Sequence, residues 1–180
     1  KTKCPLNIVV IDPSIENLKI AEDRWGEIQN DVKHQIRFNQ DLSQLDRSDL
    51  FATIVATGAN VRRKVVEELF KCAAHVRFLI LEKVLFQKIE DYSDVQSLLK
   101  RKSVITYVNC PRRLNNSYKE IKTLLADQKT FFMDVYGNNW GLACNGIHFL
   151  DLFHFIKPSL GLFDIDTSNL NRGVVESKRP

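Results

Sequence analysis

Short, nearly continuous runs of β-branched and apolar residues alternate along this chain with stretches whose apolar residues recur every three or four positions. That alternation restricts the fold more than any other feature. The first run, Asn7-Ile8-Val9-Val10-Ile11-Asp12, closes on Asp12-Pro13-Ser14 and predicts a buried strand ending in a turn. Ser14 is placed to cap a helix of about four turns that carries Ile15, Leu18, Ala21, Trp25 and Ile28 on one stripe. A short strand is expected around Ile36-Arg37-Phe38. The run Phe51 to Thr57 is a further strand, ended by Gly58-Ala59-Asn60 and followed by a helix with Val61, Val65, Glu68 and Leu69 at helical spacing.

The pattern continues with a strand from Val76 to Leu81, a helix from about Asp91 with Tyr92, Val95, Leu98 and Leu99 inward, and a strand from Val104 to Val108. Strands that read as continuous apolar runs and alternate with helices indicate a parallel sheet covered on both faces, a doubly wound α/β arrangement. After Pro111 a helix with Tyr118, Ile121, Leu124 and Leu125 leads to an expected strand near Phe131 to Tyr136, then a Gly-Asn-rich turn and a long helix from Leu142 to Phe155. The last 22 residues are polar and weakly patterned. A change of domain is expected near Asn109 to Asn115, giving an α/β, Rossmann-like domain over 1–110 and the beginning of an α+β domain over 111–180.

Composition narrows the class of function. With 180 residues, 44% of them hydrophobic and 27% charged, the chain is neither disordered, collagen-like nor a disulfide scaffold. A net charge of +4 is too small and too dispersed to argue for a nucleic-acid partner, and the runs Arg62-Arg63-Lys64 and Lys100-Arg101-Lys102 read as solvated helix faces or ends. The four cysteines, Cys4, Cys72, Cys110 and Cys144, form no Cys-x-x-Cys pair, which speaks against a zinc knuckle or a thioredoxin-like motif and suits reduced thiols in the cytoplasm. No apolar run reaches the roughly 18 residues of a membrane span, and the start lacks a signal-peptide pattern.

Ligands of open α/β sheets bind beyond the carboxyl ends of the strands, so the residues just after each strand are the candidate site. Those are Asp12, then Thr57-Gly58-Ala59-Asn60, then Glu82-Lys83, then Asn109 with Arg112 and Arg113. An acid closing the second strand of a dinucleotide-binding sheet accepts the adenosine ribose hydroxyls and repels the 2′-phosphate of NADP, so Asp12 favours NAD. The seven glycines nowhere form Gly-x-Gly-x-x-Gly, so no pyrophosphate loop is present in these residues. On the last long helix Cys144, His148 and Asp151 fall at i, i+4 and i+7, one face. That set is incomplete for zinc, and no metal site is expected. It leaves either a histidine packed beside Phe149 and Phe153 and bonded to Asp151, or a histidine that exchanges a substrate proton.

In order and placement these motifs resemble the Gfo/Idh/MocA family of NAD(P)-dependent sugar and polyol oxidoreductases, from about Asn7 to about Ile156. Ala56-Thr57-Gly58-Ala59-Asn60 resembles the family's Ala-Thr-Pro-Asn turn, and Glu82-Lys83 its Glu-Lys-Pro motif with Val84 for proline. Gly146-x-His148-x-x-Asp151 resembles the end of its Gly-Gly-x-x-x-Asp-x-Gly-x-His-x-x-Asp signature. The resemblance implies hydride transfer between nicotinamide and a hydroxyl-bearing carbon of a sugar, nucleotide-sugar or polyol. His148 would be the general base and Lys83 would hold the same oxygen. Asp12, Thr57, Asn60 and Glu82 would face the cofactor, while Asn109, Arg112, Cys144 and Asn145 would face the substrate.

The resemblance further implies a homo-oligomer when full length, and it exposes departures. Cys144 stands where the family has an aspartate that would orient the histidine. Val84 for proline is expected to loosen the turn presenting Lys83, because proline would fix one dihedral. The family's first strand, glycine loop and following helix would precede Lys1, and most of the second domain's sheet would follow Pro180. The strands present would then face each other across a gap, and the 180 residues would bind dinucleotide weakly or not at all. A non-catalytic family member, binding or scaffolding in a carbohydrate pathway, is the competing reading; Lys83, Arg112 and Arg113 argue against a flavodoxin-like or response-regulator-like domain.

Overall fold

The computed structural model describes residues 4–28, 32–137, 141–158, 164–170 and 173. They divide into two compact units, Lys1–Asn109 and Cys110–Pro180. The first unit contains β1 (Asn7–Ile11), α1 (Ile15–Gly26), β2 (Gln35–Asn39), β3 (Asp49–Val55), α2 (Arg62–Cys72), β4 (His75–Leu81), α3 (Ile89–Arg101) and β5 (Ile105–Val108), with a 3-10 turn at Leu42–Leu45. Every strand pair is parallel: β1 with β2 in the register Asn7↔Gln35 to Ile11↔Asn39, β3 with β4 from Asp49↔His75 to Val55↔Leu81, and β4 with β5 from Phe78↔Ile105 to Leu81↔Val108. The α/β class and the parallel pairing read from the sequence are those observed.

The strands form two sheets, β1-β2 and β3-β4-β5. β1 and β3 do not pair, so among the described residues each presents an unpartnered edge. The helices nevertheless build one core. Leu45, Val55, Val66, Leu69, Phe70, Ala73, Val76, Leu79, Leu81, Phe86 and Val95 are buried together, with Val9 and Ile11 of β1 packed against them. Each such aliphatic or aromatic side chain contributes about 1.5–3 kcal/mol by leaving water.

Local chemistry explains most boundaries. The Ser14 hydroxyl caps α1 by accepting from the Asn17 backbone N–H at 3.2 Å. Asp41 starts the 3-10 turn by accepting from the Ser43 N–H at 2.6 Å, and that bond holds its carboxyl below the usual range. α1 stops at Gly26, shorter than expected. Of its apolar stripe only Leu18 is buried, while Ile15 and Ile28 stay exposed, as does Ile20 off the stripe.

The inward face of α2 also differs from the expectation: Arg62, Val66, Leu69 and Phe70 are buried, whereas Val61 and Glu68 face outward. On β3, at the edge of its sheet, Phe51 and Ile54 are 69% and 68% exposed, so this strand is not covered on both faces as expected. Phe51 meets Phe78 edge-on at 5.3 Å, and the Arg77 guanidinium lies within 5.5 Å of both ring centres.

The second unit holds a 3-10 turn at Pro111–Leu114, α4 (Asn116–Leu124) and α5 (Leu142–Ile156). Asn115 caps α4 through Ser117 N–H, and Lys157 donates to the Leu125 and Ala126 carbonyls at its far end, at 3.2 and 2.8 Å. The strand expected near Phe131 to Tyr136 is not formed; those residues are irregular. A strand exists only where another supplies its ladder, and among the described residues of this unit none does. Phe131 instead packs on Phe153 at 5.0 Å. Much of the polar tail lies outside the described residues.

The burial pattern yields a stability prediction. Leu79, with 0% exposure, replaced by alanine should destabilise the protein by about 2–5 kcal/mol in urea unfolding, while alanine at Ile89, 80% exposed, should change it by less than about 0.5 kcal/mol. Equal losses would show that the core has been wrongly located.

Candidate functional site

Backbone hydrogen bonds carry each parallel ladder one step past its strand and fix the residues that follow. The Asp12 N–H donates to Asn39 O at 3.2 Å, Glu82 N–H to Val55 O at 3.1 Å, and Asn109 N–H to Leu81 O at 2.8 Å. Three of the sequence-predicted site residues therefore have defined backbone positions at strand ends. Their side chains are used differently. Asp12 Oδ1 accepts from Ser14 N–H at 2.9 Å and from the Asn17 side-chain amide at 3.1 Å, so half of its carboxylate serves the start of α1. The Asn109 side chain donates to Glu82 Oε2 at 2.7 Å. This joins a residue expected to face substrate to one expected to face cofactor, and gives Asn109 a structural partner that spacing did not suggest.

The turn after β3 is tight. Val61 and Arg62 N–H groups both donate to Gly58 O, at 3.2 and 3.1 Å, and start α2 without a side-chain cap. A Cβ at Gly58 would lie 2.7 Å from Asn60 Oδ1, so glycine lets the Asn60 side chain fold back over the turn. Thr57 Oγ1 is buried and has no hydrogen-bond partner among the described residues, which is a place for a ligand's polar atom at the strand end. Lys83 is half-buried, and the Lys83–Val84 peptide is cis.

Arg62 corrects two expectations. It is 2% exposed and not part of a solvated helix end. Its Nη1 donates to the Val84 and Leu85 carbonyls and its Nη2 to the Thr57 carbonyl, so the loop at Val84 is tied down and not loose. Burial pushes its pKa down, opposed by the charge of Glu82. The signal was present in the sequence: Arg62, Val66, Leu69 and Phe70 stand at i, i+4, i+7 and i+8, one helical face. Its neighbour Arg63 is bridged to Glu67, Asp91 and Asp94 at 2.8–2.9 Å, tying α2 to α3.

In the second unit, Arg112 and Arg113 both turn to α5. The Arg112 guanidinium sits 4.1 Å from the Phe149 ring centre, a cation–π stack that leaves its edge donors for a ligand. Arg113 forms a two-point ion pair with Asp151, Nε to Oδ2 at 2.9 Å and Nη2 to Oδ1, which raises the Arg113 pKa. Asp151 is thus committed to Arg113. Cys144 is exposed in the first turn of α5, and His148 is half-buried one turn later. Asn145 reaches back to Gly141 O at 3.4 Å, so its amide closes the helix start, where Gly141 has φ +65°. Among the described residues no group of three or more His, Cys, Asp or Glu could hold a metal ion.

No protein-family model and no curated protein matches the sequence significantly. Solved structures do match. Scyllo-inositol dehydrogenase from Lactobacillus casei with bound NAD(H) and scyllo-inositol is 15% identical, with a TM-score of 0.60 over 87% of this chain and 57% of its own. A probable dehydrogenase from Thermotoga maritima is 14% identical, with a TM-score of 0.60 over 86% of this chain and 55% of its own. The transcriptional regulator Gal80p from Kluyveromyces lactis is 12% identical, with a TM-score of 0.61 over 82% of this chain and 42% of its own. The chain spans roughly half the length of these structures. It has the fold of the Gfo/Idh/MocA-type NAD-dependent oxidoreductases that the motifs resemble.

The turn geometry gives a second prediction. Gly58→Ala should displace only the end of the Asn60 side chain, costing less than about 1 kcal/mol of stability, yet it should weaken NADH binding to the intact protein measurably by fluorescence titration. Unchanged affinity would remove the Thr57–Asn60 turn from the cofactor path.

Proposed function

We propose that the intact protein is a dehydrogenase that moves a hydride between NAD and a hydroxyl-bearing carbon of a sugar, nucleotide-sugar or polyol. The observation that carries the reading is the strand-end set of the first unit: an orphaned, buried Thr57 hydroxyl, and a Glu82–Asn109 pair beside Lys83, in a fold shared with NAD-dependent dehydrogenases. Thr57, Asn60 and Glu82 would line the nicotinamide half of the cofactor, and Asp12 would offer Oδ2 to the adenosine ribose because Oδ1 serves α1. The pyrophosphate cradle would come from residues outside these 180.

When bound, the nicotinamide supplies the hydride acceptor. Lys83 would hydrogen-bond the reacting oxygen and offset charge as it develops there, and His148 would take the hydroxyl proton. Arg112, stacked on Phe149 with donors to spare, would bind a substrate hydroxyl or acidic group. Cys144 and Asn145 are weaker contributors to the same surface, since Asn145 already bonds Gly141. A cytoplasmic setting, homo-oligomeric assembly and NAD over NADP belong to the same proposal. So does the division of labour between a cofactor unit and the beginning of a substrate unit.

The second reading, a non-catalytic binding protein, is favoured by Cys144 at the position of an expected acid and by the likeness to a transcriptional regulator. Turnover separates the two. In the intact protein His148→Ala and Lys83→Ala should each lower kcat by about a hundredfold or more in a 340 nm assay against sugars and polyols, with NADH affinity retained. NADH binding without turnover of any substrate by the unmodified protein would favour the binding protein. Turnover unaffected by either substitution would overturn the assigned roles.

A further inference from the structure

Besides Asp12 and Asn109, two segments of the first unit carry proposed cofactor and substrate contacts, the turn after β3 with Thr57 and Asn60 and the loop after β4 with Glu82 and Lys83. The near end of that loop is fixed by Glu82 N–H on Val55 O at 3.1 Å, and its far end by the Tyr92 hydroxyl on Phe86 O at 3.3 Å. Its middle is held by Arg62, which donates to the Val84 and Leu85 carbonyls and, from the same guanidinium, to the Thr57 carbonyl. A single buried side chain therefore pins both segments to each other.

This is an expensive way to hold a loop. A buried cation needs partners for its donors, and the two terminal nitrogens of Arg62 find three backbone carbonyls in a planar fork that the single ammonium of lysine cannot reproduce, while its Nε has no partner among the described residues. The Arg62 guanidinium donates to backbone carbonyls, and a hydrophobic residue on the Val66–Leu69–Phe70 face would fill the same space without the charge. What the guanidinium adds is a fixed distance between two loops.

We propose that Arg62 is a positioning residue: it sets the place from which Lys83 is presented beside the Thr57 turn, supplying through hydrogen bonds the restraint that a proline at Val84 would supply through its ring. The proposal rests on the reading of Lys83 as part of the ligand site.

The test compares Arg62→Lys and Arg62→Met with the unmodified intact protein. Hydrogen exchange should quicken about tenfold or more across residues 83–86 relative to the β4 amides, and acylation of Lys83, followed by peptide mass spectrometry and normalised to Lys100, should change in the order Met beyond Lys beyond Arg. Should the methionine variant fail to fold, the lysine variant carries the comparison, because it retains a charge and a donor. NADH affinity should weaken in the same order. Faster exchange spread evenly over the first unit, with normalised Lys83 reactivity unchanged, would overturn the proposal and leave Arg62 as a stability residue. A local exchange and reactivity change in a protein that binds no NADH would uphold the positioning role while overturning the dehydrogenase reading. NADH binding that is indifferent to Arg62, with exchange and Lys83 reactivity also unchanged, would do the reverse.

Discussion

Parallel pairing is the constraint on which the first unit depends. Parallel strands need a crossover between them, so each pair here is joined through a helix or helical turn, and the carboxyl end of each strand falls beside that of its partner. Ile11, Val55 and Leu81, the last residues of three strands, meet in one apolar cluster. Immediately beyond them the ladder continues into Asp12, Glu82 and Asn109 through one more backbone bond each. The polar residues of the candidate site are thus held by the same hydrogen-bond system that holds the sheets, and they sit directly above the best-packed part of the core. Their precision comes from the ladder and from packing, and loop chemistry only refines it.

The break between β1 and β3 shows how much of this order survives without a continuous sheet. Both edges lack a neighbour among the described residues, yet Val9 and Ile11 still pack against the common core. Phe51 and Ile54 remain exposed on β3, and Ile15 and Ile20 on α1. An aromatic pair capped by Arg77 softens that exposure at one point, since a guanidinium can lie on a ring while keeping its donors in water.

The elements of the first unit were legible because each signal is local: β-branched runs for strands, serine for the cap of α1, glycine for the turn after β3. What could not be read is which face of a helix would be covered, since that depends on the layer packed against it. Val61 and Glu68 matched a helical spacing as well as Val66 and Phe70 did, and only the sheet beneath α2 chose between them. Arg62 was hidden by the same ambiguity, because a basic run at a helix start reads as solvated unless the apolar face is already known. The expected strand at Phe131 to Tyr136 failed for the complementary reason: alternation describes one strand, while a ladder takes two. In the candidate site the residue types after each strand were readable, but their partners were not. Asn109 on Glu82 and Asp151 on Arg113 join residues 27 and 38 positions apart.

The ion pair of Asp151 bears on what α5 can do. A carboxylate whose two oxygens are both engaged by one guanidinium is fixed in orientation, so Asp151 ties α5 to the 3-10 turn at Pro111–Leu114. With Cys144 in place of an acid one turn before His148, the α5 face offers thiol and imidazole where the resemblance implies carboxylate and imidazole. A thiol is a weaker acceptor and carries no charge at neutral pH unless its pKa is lowered, so it would do less to stabilise an imidazolium as the substrate proton arrives.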